Sequence, residues 1–345
     1  MIALDPQAKP FESVPILYPV ALAGIGRYVP AAVRTSLELD ALHGWPPGTV
    51  ESASGVRRRH VAGAESTVAM AAAAARAACA DAGRSLHEID CVVYAGAVPH
   101  QPIPTTSVLL KRALGLEASP VPAFDVNATC IGFLAALEVV SALIACGRYE
   151  RALIVCAEKP SQGLSWEDPA VSGIFGDGAA AVVAERSADA HRGIAALAIE
   201  TYAQGAGACV LRSGGTGLDV HDDLAAFLRG TYFEMNGTLA YKIAAEHLPP
   251  LVDAVLARAE TTLAEIDAVV PHQASALGMA LMERRLGIAP GGMLDVFADY
   301  GNQVSASLPF ALAKAREREG IGPGSRALLL GTAAGITIGA AVWRL

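Results

Sequence analysis

"TLAEIDAVVPHQA" at Thr262–Ala274 and "SLHEIDCVVYAGA" at Ser85–Ala97 share a Leu, then Glu-Ile-Asp, then Val-Val, all in one register. Two further pairs follow in the same order and at about the same separation. "RYERALIVCAE" (Arg148–Glu158) resembles "GPGSRALLLGTA" (Gly322–Ala333), and "FGDGAAAVVAE" (Phe175–Glu185) resembles "GITIGAAVWRL" (Gly335–Leu345). Chance could supply one such pair; three in register indicate two copies of one unit.

Each copy reads alike. An alanine-rich helix (66–82; 248–263) leads to a short Val/Ile strand, then a second helix (130–146; 305–318), then two apolar β segments. The strands are continuous apolar runs, as expected of sheets covered on both faces. The expectation is an α/β fold with helices between and outside two sheets. The polar stretch Arg186–Gly193 divides it into halves 1–186 and 187–345.

The 345 residues are 53% apolar and 17% charged, with a net charge of −8, which suits a well-buried globular chain and argues against nucleic acid as a partner. The longest apolar stretch, Ile131–Gly147, is interrupted by Glu138 and is shorter than the ~18–20 residues of a membrane span. The first fifteen residues lack the pattern of a secretory leader. Six cysteines without CxxC spacing predict free thiols in a reducing cytoplasm and no metal site.

Four segments carry candidate chemistry. In "FDVNATCIGFLAALEVV" (Phe124–Val140) a strand gives way to Asn127 and Thr129 as capping residues and then to an apolar helix. Cys130 falls in its first turn, where free N–H groups and the helix dipole are expected to lower a thiol pKa below ~8.5. Pro-His-Gln occurs twice, at Pro99–Gln101 and Pro271–Gln273. Aligned on Glu-Ile-Asp, His272 falls opposite Ala95, so His100 is not its duplicate and reads as a loop residue. His272 leaves a buried strand directly and is the better candidate. Asn302 follows Gly301 ahead of another helix. "LLLGTAAGITIG" (Leu328–Gly339) breaks a buried strand with small residues, so its N–H groups can form an oxyanion hole with that of Cys130. No Gly-Lys-Ser/Thr follows any glycine run, and "RSGGTG" (Arg212–Gly217) reads as a surface turn. Cys, His and Asn in this order suit acyl transfer through a thioester. They also occur in papain-like proteases, but "NATCIGF" lacks that setting.

With these motifs the chain resembles the thiolase superfamily, in particular β-ketoacyl-acyl-carrier-protein synthase III and its relatives. The likeness runs from "GIGRYVPAAVRTSLEL" (Gly24–Leu39) through "SGVRRRH", "AFDVNATCIGF", "GIFGDGAAAVV", "VVPHQA" and "YGNQVSAS" to "GTAAGITIG". It implies a five-layer αβαβα fold of duplicated halves and a homodimer. Cys130 would be acylated, His272 and Asn302 would polarise the incoming thioester carbonyl, and backbone N–H groups of Cys130 and Gly335 would form the oxyanion hole. No cofactor would be bound; the substrates would be acyl thioesters on phosphopantetheine, carried by acyl carrier protein or by CoA.

Several positions depart from the pattern. Thr49 and Pro169 stand where acetyl-CoA-using members clamp adenine with Trp and Arg, with Trp45 out of register. Leu277 replaces a basic residue that helps to dock the carrier protein. Arg57, Arg58 and Arg59 are candidate carrier contacts, and Phe233 a candidate substrate contact. Ile103, on a loop expected to reach the partner's acyl pocket, replaces the glutamate base of head-to-head condensing relatives. The expected reaction is decarboxylative condensation in specialised metabolism. The alternatives are acyl transfer to a hydroxyl or amine and, more remotely, a non-catalytic carrier-binding scaffold.

Overall fold

The structure, a computed structural model, describes residues 18–189 and 191–345; the segment read above for a leader lies outside them. In chain order the strands are β1 Val20–Tyr28, β2 Val33–Thr35, β3 Arg58–His60, β4 Cys91–Tyr94, β5 Ala123–Asp125, β6 Arg151–Glu158 and β7 Gly178–Arg186. The rest are β8 Gly193–Thr201, β9 Cys209–Val210, β10 Glu234–Met235, β11 Ala268–Pro271, β12 Arg326–Ala333 and β13 Thr337–Arg344. One sheet has the order β1-β7-β6-β4-β5 and the other β11-β12-β13-β8, while β2-β3 and β9-β10 form small ribbons. All strands of the first large sheet lie within residues 20–186, and all of the second within 193–344.

The two sheets repeat one pattern. β7 lies antiparallel between β1 and β6, after which β4 joins β6 in parallel; in the same way β13 lies antiparallel between β8 and β12, and β11 joins β12 in parallel. In the second copy the fifth position shrinks to a parallel bridge between Val269 and Met293, with the Leu294 N–H donating to the Val269 carbonyl at 2.9 Å.

Apolar residues alternate across each strand, and both faces are covered. Val93, Ile154 and Leu329 point inward to the helices Gly132–Ala145 and Ser307–Glu319, which lie between the sheets and share one core with Phe133, Leu137, Leu308 and Leu312. Val92 and Leu153 point outward to Met70 and Ala74 on the helix Thr67–Asp81. Leu328 and Leu330 point outward to Leu248 and Val252 on the helix Gly237–Arg258. Period-2 side chains with helices on both sides give five layers, αβαβα, as the resemblance implied.

One helix differs from expectation. The outer helix of the second half runs Gly237–Arg258 instead of 248–263 and carries Pro249 and Pro250 in its interior. An interior proline costs about 3 kcal/mol or more; burial of Ile243, Leu248, Leu251 and Val255 offsets it. Among the described residues no helix is long and apolar enough to cross a membrane.

Candidate active site

The chain leaves β5 through a turn pinned by Asn127, whose Oδ1 accepts the Thr129 N–H at 2.8 Å and whose Nδ2 donates to the Ala97 carbonyl at 2.9 Å. Asn127 therefore holds the turn and does not cap the helix. Thr129 is no cap either: its φ is +48°, and its hydroxyl is buried without a partner. A β-branched residue in the left-handed region costs on the order of 1 kcal/mol. The turn presents Cys130 in a short 3-10 segment, Thr129–Ile131, at the head of the helix Gly132–Ala145.

The expected low thiol pKa is corrected by the structure. Burial pushes the Cys130 thiol up to about 12, with further upward pushes from Glu158 and Cys209, against stabilising N–H groups of Ala334 and of Cys130 itself. Desolvation outweighs the helix terminus because the sulfur lies inside the cavity wall and away from water. The resting nucleophile is thus a thiol that needs a base. The N–H facing the sulfur is that of Ala334; Gly335, one residue on, adopts φ +132°.

His272 is 4% exposed, and burial lowers its pKa to about 4, so its imidazole is neutral at physiological pH. Nδ1 hydrogen-bonds the Ser307 hydroxyl, which also accepts the Gln273 N–H at 3.3 Å. This holds the ring and leaves Nε2 for the cavity. Gly331 permits the approach of the two halves here, since a Cβ on it would lie 2.9 Å from both His272 Cβ and Ile131 Cγ2.

Asn302 is carried by a junction of two glycine-bearing segments. Its N–H donates to the Ile174 carbonyl at 2.7 Å, and its own carbonyl accepts the Gly176 N–H at 3.2 Å. A Cβ on Gly176 would lie 2.1 Å from the Tyr300 carbonyl oxygen. Asn302 Oδ1 accepts the Val304 N–H at 2.8 Å, and Nδ2 donates to the Ala274 carbonyl at 3.2 Å. An amide nitrogen carries two hydrogens, so one N–H remains for a ligand.

Cys130, His272 and Asn302 line one cavity of about 1020 Å³. A further titratable group lines the same cavity and was missed in the sequence. Glu158, the last residue of β6, is 2% exposed on the same cavity. Its Oε1 accepts the Ala97 N–H and the Ser305 hydroxyl, both at 2.5 Å. Burial raises its pKa to about 7, although these donors pull the other way. The available signal was the repeat itself: Glu158 falls opposite Ala333, a lone carboxylate ending an apolar strand. Because the folded chain keeps this proton up to about pH 7 and the unfolded carboxyl releases it near 4.5, stability falls as pH rises through that window. The cost is on the order of 3 kcal/mol. Glu158→Gln is therefore expected to raise the melting temperature at pH 8 and to leave it unchanged at pH 4.5. An equal shift at both pH values would contradict the assignment.

The remaining candidates divide. Phe233 lines the cavity and meets Phe175 edge-on at 5.3 Å. Ile103 is 85% exposed on the loop after β4. Arg57 and Arg58 are exposed and share Asp299, at 3.0 and 3.2 Å. Arg59 is corrected: it is 2% exposed, bound to the Ser36 hydroxyl at 2.7 Å and to the Gly173 carbonyl at 2.5 Å. Alternation along β3 turns its side chain inward, so it holds loops together and cannot meet a carrier protein. Leu277 is exposed, and His43 stacks on Trp45 at 5.0 Å and on Trp166 at 4.9 Å, the two indoles lying 6.3 Å from each other. Cys209, read with the inert thiols, faces the cavity, as do Ser213, Gly214 and Gly215 of the expected surface turn. His100 is exposed at the cavity rim, 3.2 Å from the Thr67 hydroxyl. His100→Ala is expected to leave turnover within a few-fold; a loss as large as that of His272→Ala would make it the working histidine. No group of three His, Cys, Asp or Glu side chains among the described residues could hold a metal ion.

Two copies of one α/β unit, stacked in five layers around a cavity that gathers cysteine, histidine and asparagine from the ends of buried elements, define a member of the thiolase superfamily. Residues 124–205 match the family of 3-oxoacyl-[acyl-carrier-protein] synthase III, and residues 256–345 match its C-terminal part. The chain is 34% identical over 332 residues to the β-ketoacyl-[acyl-carrier-protein] synthase III of Nitratidesulfovibrio vulgaris, covering 94% of this chain and 99% of that one. It superposes on the 3-oxoacyl-[acyl-carrier-protein] synthase III of Aquifex aeolicus with a TM-score of 0.83 at 28% identity, covering 94% and 100%. The priming β-ketosynthase of the R1128 polyketide pathway gives 0.85 at 26%, covering 97% and 99%. The chain belongs to the β-ketoacyl-[acyl-carrier-protein] synthase III family and is a condensing enzyme, a transferase of acyl groups.

Proposed function

We propose that the protein loads an acyl group onto Cys130 and condenses it, with loss of carbon dioxide, with a malonyl group on acyl carrier protein; the β-ketoacyl acceptor also expected from the sequence has no carboxylate to lose and does not fit this step. The observation that carries this reading is the amide of Asn302, with one N–H left over, beside a neutral His272 on the Cys130 cavity. His272 Nε2 takes the thiol proton as Cys130 attacks the donor carbonyl, and returns it to the departing pantetheine sulfur. The N–H groups of Cys130 and Gly335 hold the developing oxyanion, next to the Ala334 N–H that faces the sulfur. In the second half-reaction the ring is in its other neutral tautomer, with Nδ1 accepting the Ser307 hydroxyl, and the acceptor carbonyl lies between the Asn302 N–H and the Nε2–H. These donors favour the enolate left when the carboxylate departs, and that enolate attacks the Cys130 thioester.

Phosphopantetheine thioesters are the proposed substrates, with Arg57 and Arg58 facing the acidic carrier and Phe233 against the acyl chain. A homodimer formed along the outer edge of β5 would bring the exposed Val98 and Ile103 of each subunit to its partner. The departures at Thr49, Pro169 and Leu277 favour a carrier-bound donor in specialised metabolism, in the cytoplasm. Intact-protein mass spectrometry tests the reading. Matched acyl-carrier-protein and acyl-CoA donors are offered, then malonyl-carrier protein. An adduct on Cys130 that discharges with release of carbon dioxide is the expected result. An adduct that ignores malonyl and discharges onto alcohols or amines would instead establish ester or amide transfer.

A further inference from the structure

Decarboxylation creates its carbanion without removing a proton, so Glu158 has no task in the reaction above. Yet its carboxyl lies on the same cavity wall as Cys130, His272 and Asn302. Its carboxyl accepts the N–H groups of Ala97, Val98 and Ser305 and the Ser305 hydroxyl, yet burial outweighs all of them, so these donors do not hold it as a permanent anion. None of the influences on this carboxyl is a cation, so it is not held as half of an ion pair. The Ser305 bond also ties it to the segment that carries Asn302 and Ser307, and so to both groups that receive the acceptor carbonyl.

We propose that Glu158 is a second acid–base group of this site and equips the enzyme to condense acceptors that lose no carbon dioxide, namely acyl or β-ketoacyl thioesters with an α C–H. The proposal rests on the acyl-Cys130 reading. The Glu158 carboxylate takes the α-proton: a C–H bond breaks, an O–H bond forms, and the electron pair stays on the thioester as an enolate held by His272 and Asn302. The enolate attacks the acyl carbonyl, a C–C bond forms, and the C–S bond to Cys130 breaks. The thiolate then takes the proton from Glu158, which restores both groups. Nothing is oxidised or reduced, and no co-reactant is consumed. The return step runs downhill, because the thiol holds a proton far more tightly than the carboxyl and an ionised Glu158 disfavours a neighbouring thiolate. The loop residue Ile103 offers no carboxylate, so the base comes from within the same subunit.

The test uses the full chain acylated on Cys130, offered either malonyl-pantetheine or 3-oxohexanoyl-pantetheine, with product and carbon dioxide measured separately. The parent is expected to make a C–C product from both, with carbon dioxide beyond the no-enzyme control from malonyl alone. Glu158→Gln should lose the 3-oxohexanoyl reaction by about 10²–10⁴-fold, the usual weight of a general base. It should keep Cys130 acylation and malonyl condensation within a few-fold, and Glu158→Asp should recover part of the loss. Two results overturn the proposal while leaving the decarboxylative reading intact: a parent that uses malonyl but makes nothing from 3-oxohexanoyl, or a Glu158→Gln variant in which both condensations fall equally, which is a positioning role. A parent that never acylates Cys130 would remove both.

Discussion

Cys130→Ala is expected to accept no acyl group from any donor and to lose turnover by at least about 10⁴-fold, the scale on which removal of a covalent nucleophile operates. The variant should fold, because the small residue remains inside a wall built by Ile131, Gly132 and the Ala334 backbone. Mass spectrometry of the intact chain reads the result directly: the parent gains the acyl mass and the variant does not. An adduct of equal yield in the variant would place the nucleophile elsewhere, and Cys209 is the other thiol on the same cavity. The effect is large because a thiol held at about 12 gives its proton only in concert with attack, to an imidazole kept neutral by burial. Nothing else on the wall combines a sulfur with that base.

Asn302→Ala is expected to separate the two half-reactions. Self-acylation needs Cys130, His272 and the oxyanion N–H groups of Cys130 and Gly335, none of which uses the Asn302 amide, so the acyl adduct should form at close to the parent rate. Condensation should fall by about 10²–10³-fold, the usual cost of one missing oxyanion donor. The intact adduct doubles as the folding control, since the variant also loses the hydrogen bonds to Val304 N–H and the Ala274 carbonyl. Accumulated acyl-enzyme that malonyl-carrier protein cannot discharge is the expected observation. Unimpaired discharge would remove Asn302 from the carbanion step.

Much of the architecture was legible before any coordinates. Internal duplication is a pattern in the chain itself, and continuous apolar strands can be satisfied only by helices on both faces of a sheet. The register of Glu-Ile-Asp alone singled out His272 over His100. The helix read as 248–263 begins eleven residues earlier, at Gly237, and only burial of its apolar face carries it through Pro249 and Pro250.

The chemistry of the site was less legible, because ionisation depends on what surrounds a group and not on its neighbours in the chain. A helix N-terminus suggested a reactive thiolate at Cys130; burial, Glu158 and Cys209 produce a reluctant thiol. Arg57, Arg58 and Arg59 look equivalent as letters, but Arg57 lies on the surface ahead of β3, while alternation along β3 exposes Arg58 and buries Arg59. Glu158 looked like the end of a strand. Sequence alone determined two copies of an α/β unit and the residues that could bear acyl chemistry, because periodicity and repetition are local. The tertiary structure decided which of them share a cavity and which carry a proton there, because desolvation is set by all five layers together.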